Sequence, residues 1–166
     1  RARPPVRGRP LSHATPMPRP PAAALFASPD DVEAAFYEAL QRGDLDALMA
    51  LWADDDEVVC VHPGGGGRLV GPAAIRASFE AIFTHSGIPV VPEQVHRLQQ
   101  IGAAVHHLVE RIELNTPEGR QVGWVVATNV YVKTGQGWRI AAHHASPAEP
   151  QAPATPVPHD APNTLH

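Results

Sequence analysis

Apolar residues recur at three- and four-residue intervals from Pro29 to Phe83 and then change to a two-residue period, which predicts helices followed by strands. Ser28-Pro29-Asp30-Asp31 supplies an N-cap, a proline at the first helical position and two acids where the helix dipole favours negative charge. Val32, Ala35, Phe36, Ala39 and Leu40 continue as one stripe, and Gly43 ends the helix. Asp44 caps a second helix with the stripe Leu45, Leu48, Met49 and Trp52, which the acidic run Asp54 to Glu57 stops in solvent. Val58 to Val61 reads as a short strand closed by His62-Pro63, since proline cannot continue a paired strand. Gly64 to Gly67 forms the turn after it. A third helix begins near Pro72, is expected to bury Ile75, Phe79, Ile82 and Phe83, and ends around Gly87.

From there the pattern predicts strands at about 90–101, 103–114, 121–133 and 137–146. Gly102, Asn115 to Gly119 and Gly135-Gln136-Gly137 supply the turns between them. Helices first and a meandering sheet afterwards is an α+β layout: three N-terminal helices packed in a curved antiparallel sheet. The strand 121–133 is uncharged on both faces. Val122, Trp124, Val126, Thr128, Val130 and Val132 lie on one side; Gly123, Val125, Ala127, Asn129 and Tyr131 lie on the other. An antiparallel strand with one wet face alternates apolar and polar, so the second face is expected to meet either a partner subunit or a ligand cavity, the alternative being cover by the chain's own helices or tail. A homodimer through the sheet is the expectation.

Composition sets the boundaries. Of the 19 prolines in 166 residues, 14 fall outside residues 30–146. Residues 1–28 are therefore expected to form a disordered Arg/Pro-rich tail, 29–147 the domain, and 148–166 a disordered Pro-rich tail. The core, residues 30–149, carries eight basic and sixteen acidic residues with no basic stripe, which argues against nucleic acid as a partner. No apolar run is long enough to span a bilayer. One cysteine, Cys60, cannot make an internal disulfide, and a cytoplasmic location is expected.

Several motifs are read as structural. The adjacent pairs His106-His107 and His143-His144 put their rings on opposite faces of a strand, and no zinc-ligand spacing occurs, so neither metal nor cofactor is expected. The glycine run lacks the lysine and hydroxyl residue of a phosphate loop. Cys60, on a buried apolar strand, makes a poor nucleophile. Glu110 is an acid on an apolar face: either a cavity carboxylate or a rim charge paired with Arg97 or Arg111.

The run from Ala39 to Asp55, containing Arg42-Gly43-Asp44-Leu45-Asp46-Ala47-Leu48 and Leu51-Trp52, resembles the opening of the nuclear transport factor 2-like superfamily, which includes ketosteroid isomerase and the SnoaL-like polyketide cyclases. Gly71-Pro72-Ala73-Ala74-Ile75-Arg76 and Gly137-Trp138-Arg139-Ile140 fit the same pattern. Cys60-Val61-His62-Pro63-Gly64 and His143-His144-Ala145-Ser146-Pro147 look like a SnoaL-like subgroup. The resemblance covers residues 29–147 and implies a cone-like barrel with a ligand cavity between helices and sheet. It does not imply one activity, because the fold hosts isomerases, cyclases, dehydratases, transport factors and oligomerisation modules.

The isomerase pattern places its oxyanion tyrosine at Phe36, its general base at His62 and its protonated acid at Asn129, and this chain keeps none of the three. Tyr37 is adjacent but turned about 100° around the helix. What the resemblance leaves in the cavity is a different catalytic set. His62 is a candidate general base, Asn129 a candidate oxyanion donor, and His144, sharing a face with Trp138, Ile140 and Ala142, a third polar group. Each has a structural alternative: a strand cap for His62, a satisfied core amide for Asn129, a C-terminal tether for His144. Phe36, Trp52, Phe79, Tyr131 and Trp138 are the expected ligand-binding walls. The leading expectation is a small-molecule-binding protein with an apolar pocket for a small apolar or carbonyl-bearing ligand. The alternatives are a cofactor-independent isomerase, cyclase or dehydratase using His62, and a dimerisation or partner-docking module.

Overall fold

The computed structural model describes residues 26–149, so the two expected tails lie outside it except for a few residues next to the core. The first helix, α1 (Pro29–Arg42), begins where the caps predict: Ser28 Oγ accepts the Asp31 N–H at 3.1 Å. Gly43, at φ 64°, ends it in the left-handed region. Its last carbonyls are then taken by the chain that follows and by the segment entering the sheet, with Asp44 N–H donating to Ala39 O and Ile88 N–H to Leu40 O. Gly87 makes that approach possible, because a Cβ there would sit 2.1 Å from Gln41 O.

The second helix, α2 (Leu45–Met49), is shorter than its apolar stripe suggested. Leu51 and Ala53 leave the helix to exchange backbone hydrogen bonds with Ile140, at 2.8 and 2.9 Å, so Trp52 sits in a bridge beside the sheet rather than on a helix. Then come β1 (Val59–Val61), β2 (Leu69–Val70) and α3 (Pro72–Ile82). Ile75 and Phe79 of α3 are buried, but Ile82 is 37% exposed and Phe83 half-buried, since the helix stops there and only one side faces the core.

Four long strands complete the fold: β3 (Val90–Gln99), β4 (Ala103–Thr116), β5 (Gly119–Thr134) and β6 (Gly137–Pro147). The sheet order is β2-β1-β6-β5-β4-β3. It is mixed rather than antiparallel throughout: β1 runs parallel to β6, pairing Val59 with Ala142 and Val61 with His144. The sheet curves around α1, which touches β3 and β6, in the α+β layout that the helix-then-strand order implied and the cone that the resemblance implied.

Odd positions of β5 face the concave side, as the resemblance implied: Val125, Ala127, Asn129 and Tyr131 are buried. The outer face carries Trp124, Val126, Thr128, Val130 and Val132, all half-buried. Register places Val126 opposite Val109 of β4, and Val130 opposite Val105 of β4 and Ala142 of β6.

A hydrogen-bonded cavity between α1 and the sheet

Tyr37, not Phe36, brings a hydroxyl to the sheet. Both side chains are buried, Phe36 packing edge-on against Tyr37 and tilted against His143. The Tyr37 hydroxyl donates to Glu110 Oε1 at 2.8 Å and accepts from Asn129 Nδ2 at 3.2 Å. With its amide nitrogen so oriented, Asn129 turns Oδ1 to His143 Nδ1, 2.6 Å away. The amide oxygen can only accept, so the His143 proton lies on Nδ1 and Nε2 keeps its lone pair. The series runs in one direction, His143 to Asn129 to Tyr37 to Glu110, across β6, β5, α1 and β4.

This series resolves the sequence alternatives. Glu110 is a cavity carboxylate, 4% exposed. Neither proposed arginine partner reaches it: Arg97 pairs with Asp30 at 2.7 Å, and Arg111 with Glu93 at 2.8 Å and with Glu113. Asn129 is a bonded core amide. His144 faces outward, and His143 takes the inward position assigned to it. The cause is the register shift in β6, where Tyr131 pairs with Ile140 but Val130 with Ala142, so the extra Ala141 inverts the alternation. Trp138 and Ile140 point inward before the bulge, His143 and Ala145 after it. Period-two reading carried the parity of Trp138 straight through to His144. The doublet His143-His144 was the available signal, since either parity puts one imidazole inside.

The cavity has a volume of about 50 Å3, lined by His62, Glu110 and His143 together with Phe36, Leu40, Pro63, Phe79, Ile88, Val90 and Ile112. It admits a few waters or a small head group, far below the roughly 300–1,000 Å3 of a typical ligand pocket. Of the expected walls, Phe36 and Phe79 are present. Tyr131 is buried deeper, its hydroxyl donating to Glu33 Oε2 at 3.1 Å, and Trp52 and Trp138 are not among the lining residues. Larger hollows, about 320 Å3 beside α1 and α2 and about 580 Å3 near the β5–β6 turn, share no residue with it.

Burial sets the charges. Desolvation raises Glu110 from its ordinary 4.5 to about 7, although the Tyr37 bond opposes the rise. Burial lowers His143 to about 3, helped by the neighbouring His62 and His144, so it is neutral near pH 7. His62 is also lowered by burial; its Nε2 lies 2.8 Å from Ser78 Oγ and its ring stands edge-on to Phe79. Burial and the nearby Glu110 push the Tyr37 phenol far above its usual range, and likewise raise Cys60 to about 12. The hydroxyl and thiol therefore keep their protons. Glu110 Oε2 and His143 Nε2 take no hydrogen-bond partner among the described residues, and neither is a sealed, orphaned atom.

A second polar cluster was missed by the sequence. Glu33 on α1 is buried and accepts from Tyr131 and from His106 Nδ1, 2.6 Å away. Asp30, Glu33 and His106 bring ligand-type atoms within 4.8 Å of one another, with Asp30 also held by Arg97. From the sequence Asp30 is placed only at the helix start, and Glu33 is not singled out.

With three helices, a curved six-stranded sheet and a cavity between them, the chain has the architecture of a nuclear transport factor 2-like protein. Residues 30–150 match the SnoaL-like domain family, and the chain belongs to that family. It is similar to a candidate calcium/calmodulin-dependent protein kinase type II association domain from Thiobacillus denitrificans ATCC 25259 (33% identity, 75% of this chain and 98% of that one, TM-score 0.68). It is also similar to a candidate dehydratase of the nuclear transport factor 2-like family from Streptomyces avermitilis (32% identity, 70% and 91%, TM-score 0.63). A nuclear transport factor 2-like protein from Salmonella enterica shares the fold at 17% identity (74% and 89%, TM-score 0.62). Among curated proteins no match is found. No helix among the described residues is long and apolar enough to cross a membrane.

Proposed function

We propose that this chain is a small-molecule-binding SnoaL-like protein that admits one polar end of a compact, largely apolar ligand to the cavity between α1 and the sheet. One observation carries the reading: a directional hydrogen-bond series begins at His143 and ends at Glu110, and both terminal groups keep a free atom in a hollow whose walls, apart from these two and His62, are apolar. Nε2 and Oε2 are not sealed off, so water or a ligand entering the hollow can bond to them. The apolar remainder of the ligand then lies toward Pro63, Ile88 and Ile112. Native mass spectrometry of the purified chain is expected to show a bound small molecule that a Phe36→Trp variant, with the hollow filled, no longer retains. Retention by that variant refutes the assignment of the site, and ligand-free protein in both cases favours a partner-docking module.

A second reading, a cofactor-independent proton-transfer enzyme, is favoured by Glu110, whose proton affinity near neutrality suits a general base or acid. Under it Glu110 takes the role the sequence gave to His62, whose ring nitrogen faces Ser78. The name of the Streptomyces relative is in keeping with such chemistry. Exchange of ketone α-protons with deuterated water, lost in Glu110→Gln, is the test.

The half-buried outer row of Trp124, Val126, Val130 and Val132 supports a homodimer through the sheet, and the Thiobacillus relative bears the name of an association domain. Light scattering is expected to give twice the chain mass, falling to one chain in Val126→Lys; a monomeric parent protein ends the idea.

A further inference from the structure

We propose that the polar end received by the cavity is a protonated amine: a primary ammonium on an apolar stem, ion-paired to Glu110 and donating a second hydrogen bond to His143 Nε2. The proposal rests on the small-molecule reading above and adds the class of ligand.

The internal donors of the series are already engaged. Tyr37 donates to Glu110, Asn129 to Tyr37, and His143 Nδ1 to Asn129, which leaves two acceptors at the ends of the series, one on a carboxylate and one on a neutral imidazole, while the third polar lining group, His62, is bonded through Nε2 to Ser78 Oγ. A group that fits must therefore bring hydrogens, and a primary ammonium brings three with a positive charge. Among the described residues no lysine or arginine lines the cavity, and the two arginines the sequence offered as partners, Arg97 and Arg111, are tied to Asp30, Glu93 and Glu113. A buried carboxylate without a cation is the less common case, and a cationic ligand supplies what the described residues do not. Phe36 and Phe79 present aromatic rings among the lining residues, the wall material that favours a cation over an anion. The volume of about 50 Å3 suits an ammonium and its first carbons.

The groups around Glu110 leave it as the one that changes charge. Tyr37 from α1 and Cys60 from β1 stay protonated, and His62 after β1 and His143 from β6 stay neutral near pH 7. Asn129 from β5 does not titrate. Val90 of β3 and Phe79 of α3 contribute carbon only.

The test is titration of the full chain with butylammonium, butanol and butyrate, three probes of matched length, followed by amide and imidazole NMR shifts at pH 6 and pH 8.5. Butylammonium is expected to bind best, to shift the His143 ring, and to tighten about tenfold between the two pH values as Glu110 ionises. Glu110→Gln is expected to abolish both the preference and the pH dependence, and Glu110→Asp to keep them. Should Glu110→Gln fail to fold, the pH dependence and probe order in the unaltered chain still decide the matter. Butanol or butyrate bound in place of the amine, or amine binding that ignores pH, overturns the ammonium assignment while leaving the cavity a binding site. If none of the three probes shifts any cavity residue, both the ammonium assignment and the small-molecule reading fall.

Discussion

Replacing Glu110 with Gln isolates the energetic consequence of a carboxylate held in an apolar hollow. In the folded chain Glu110 titrates at about 7 rather than its ordinary 4.5, so between those values the native state holds a proton that the unfolded chain has released. Stability contributed by this group therefore falls as pH rises through the window, and stays low above it. The interval is worth about 3 kcal/mol at roughly 1.4 kcal/mol per pH unit. Side-chain exposure of a few per cent leaves solvent little part in the balance. Gln keeps an acceptor for Tyr37 and has no charge to bury. The stability of Glu110→Gln relative to the unaltered chain is thus expected to improve by about 3 kcal/mol between pH 4.5 and pH 8.5. His143 acts in the opposite direction over an overlapping range, but it is present in both proteins and cancels in the difference. Urea denaturation at one-unit pH intervals, followed by circular dichroism and by tryptophan fluorescence, measures the two curves. If they run parallel across the range, Glu110 is not an isolated buried carboxylate and the electrostatic description of the cavity is wrong.

Tyr37→Phe removes the hydroxyl shared by Glu110 and Asn129, and is expected to destabilise the fold by about 1–3 kcal/mol and to move the Glu110 titration above 7, read from carboxyl carbon shifts; an unmoved titration refutes the bond. Gly87→Ala forces a methyl to 2.1 Å from Gln41 O, and a thermal melt is expected to show a loss of roughly 10 °C or more; a melt unchanged within error refutes the close approach. His143 has a folded pKa of about 3, below its ordinary 6.5, so its contribution is full above 6.5 and is lost as pH falls through about 3. Acid unfolding of His143→Phe is therefore expected to be less steep with pH than that of the unaltered chain, and equal slopes would place the imidazole in water.

Local chemistry wrote the helix starts and most strand limits into the sequence. Ser28-Pro29-Asp30 and Asp44 cap helices by contacts three residues away, and glycine turns separate the strands, Gly119 at φ 118° and Gly137 at φ 97° taking backbone geometry that other residues resist. The uncharged faces of β5 and the inward side of Asn129 were also legible, since alternation and family resemblance act over one strand. What needed the tertiary structure was every feature fixed by a distant partner. Trp52 leaves its helix because Leu51 and Ala53 pair with Ile140, nearly ninety residues on. The mixed sheet follows from β1 lying beside β6. His143 rather than His144 enters the cavity because Ala141 is a bulge against β5, and a bulge is set by the neighbouring strand. Glu110 and Tyr37, separated by 73 residues, become partners only when α1 is laid into the curved sheet. That same burial, not the identity of either residue, gives the carboxylate its raised proton affinity, because desolvation belongs to the assembled core and to no single segment of the chain.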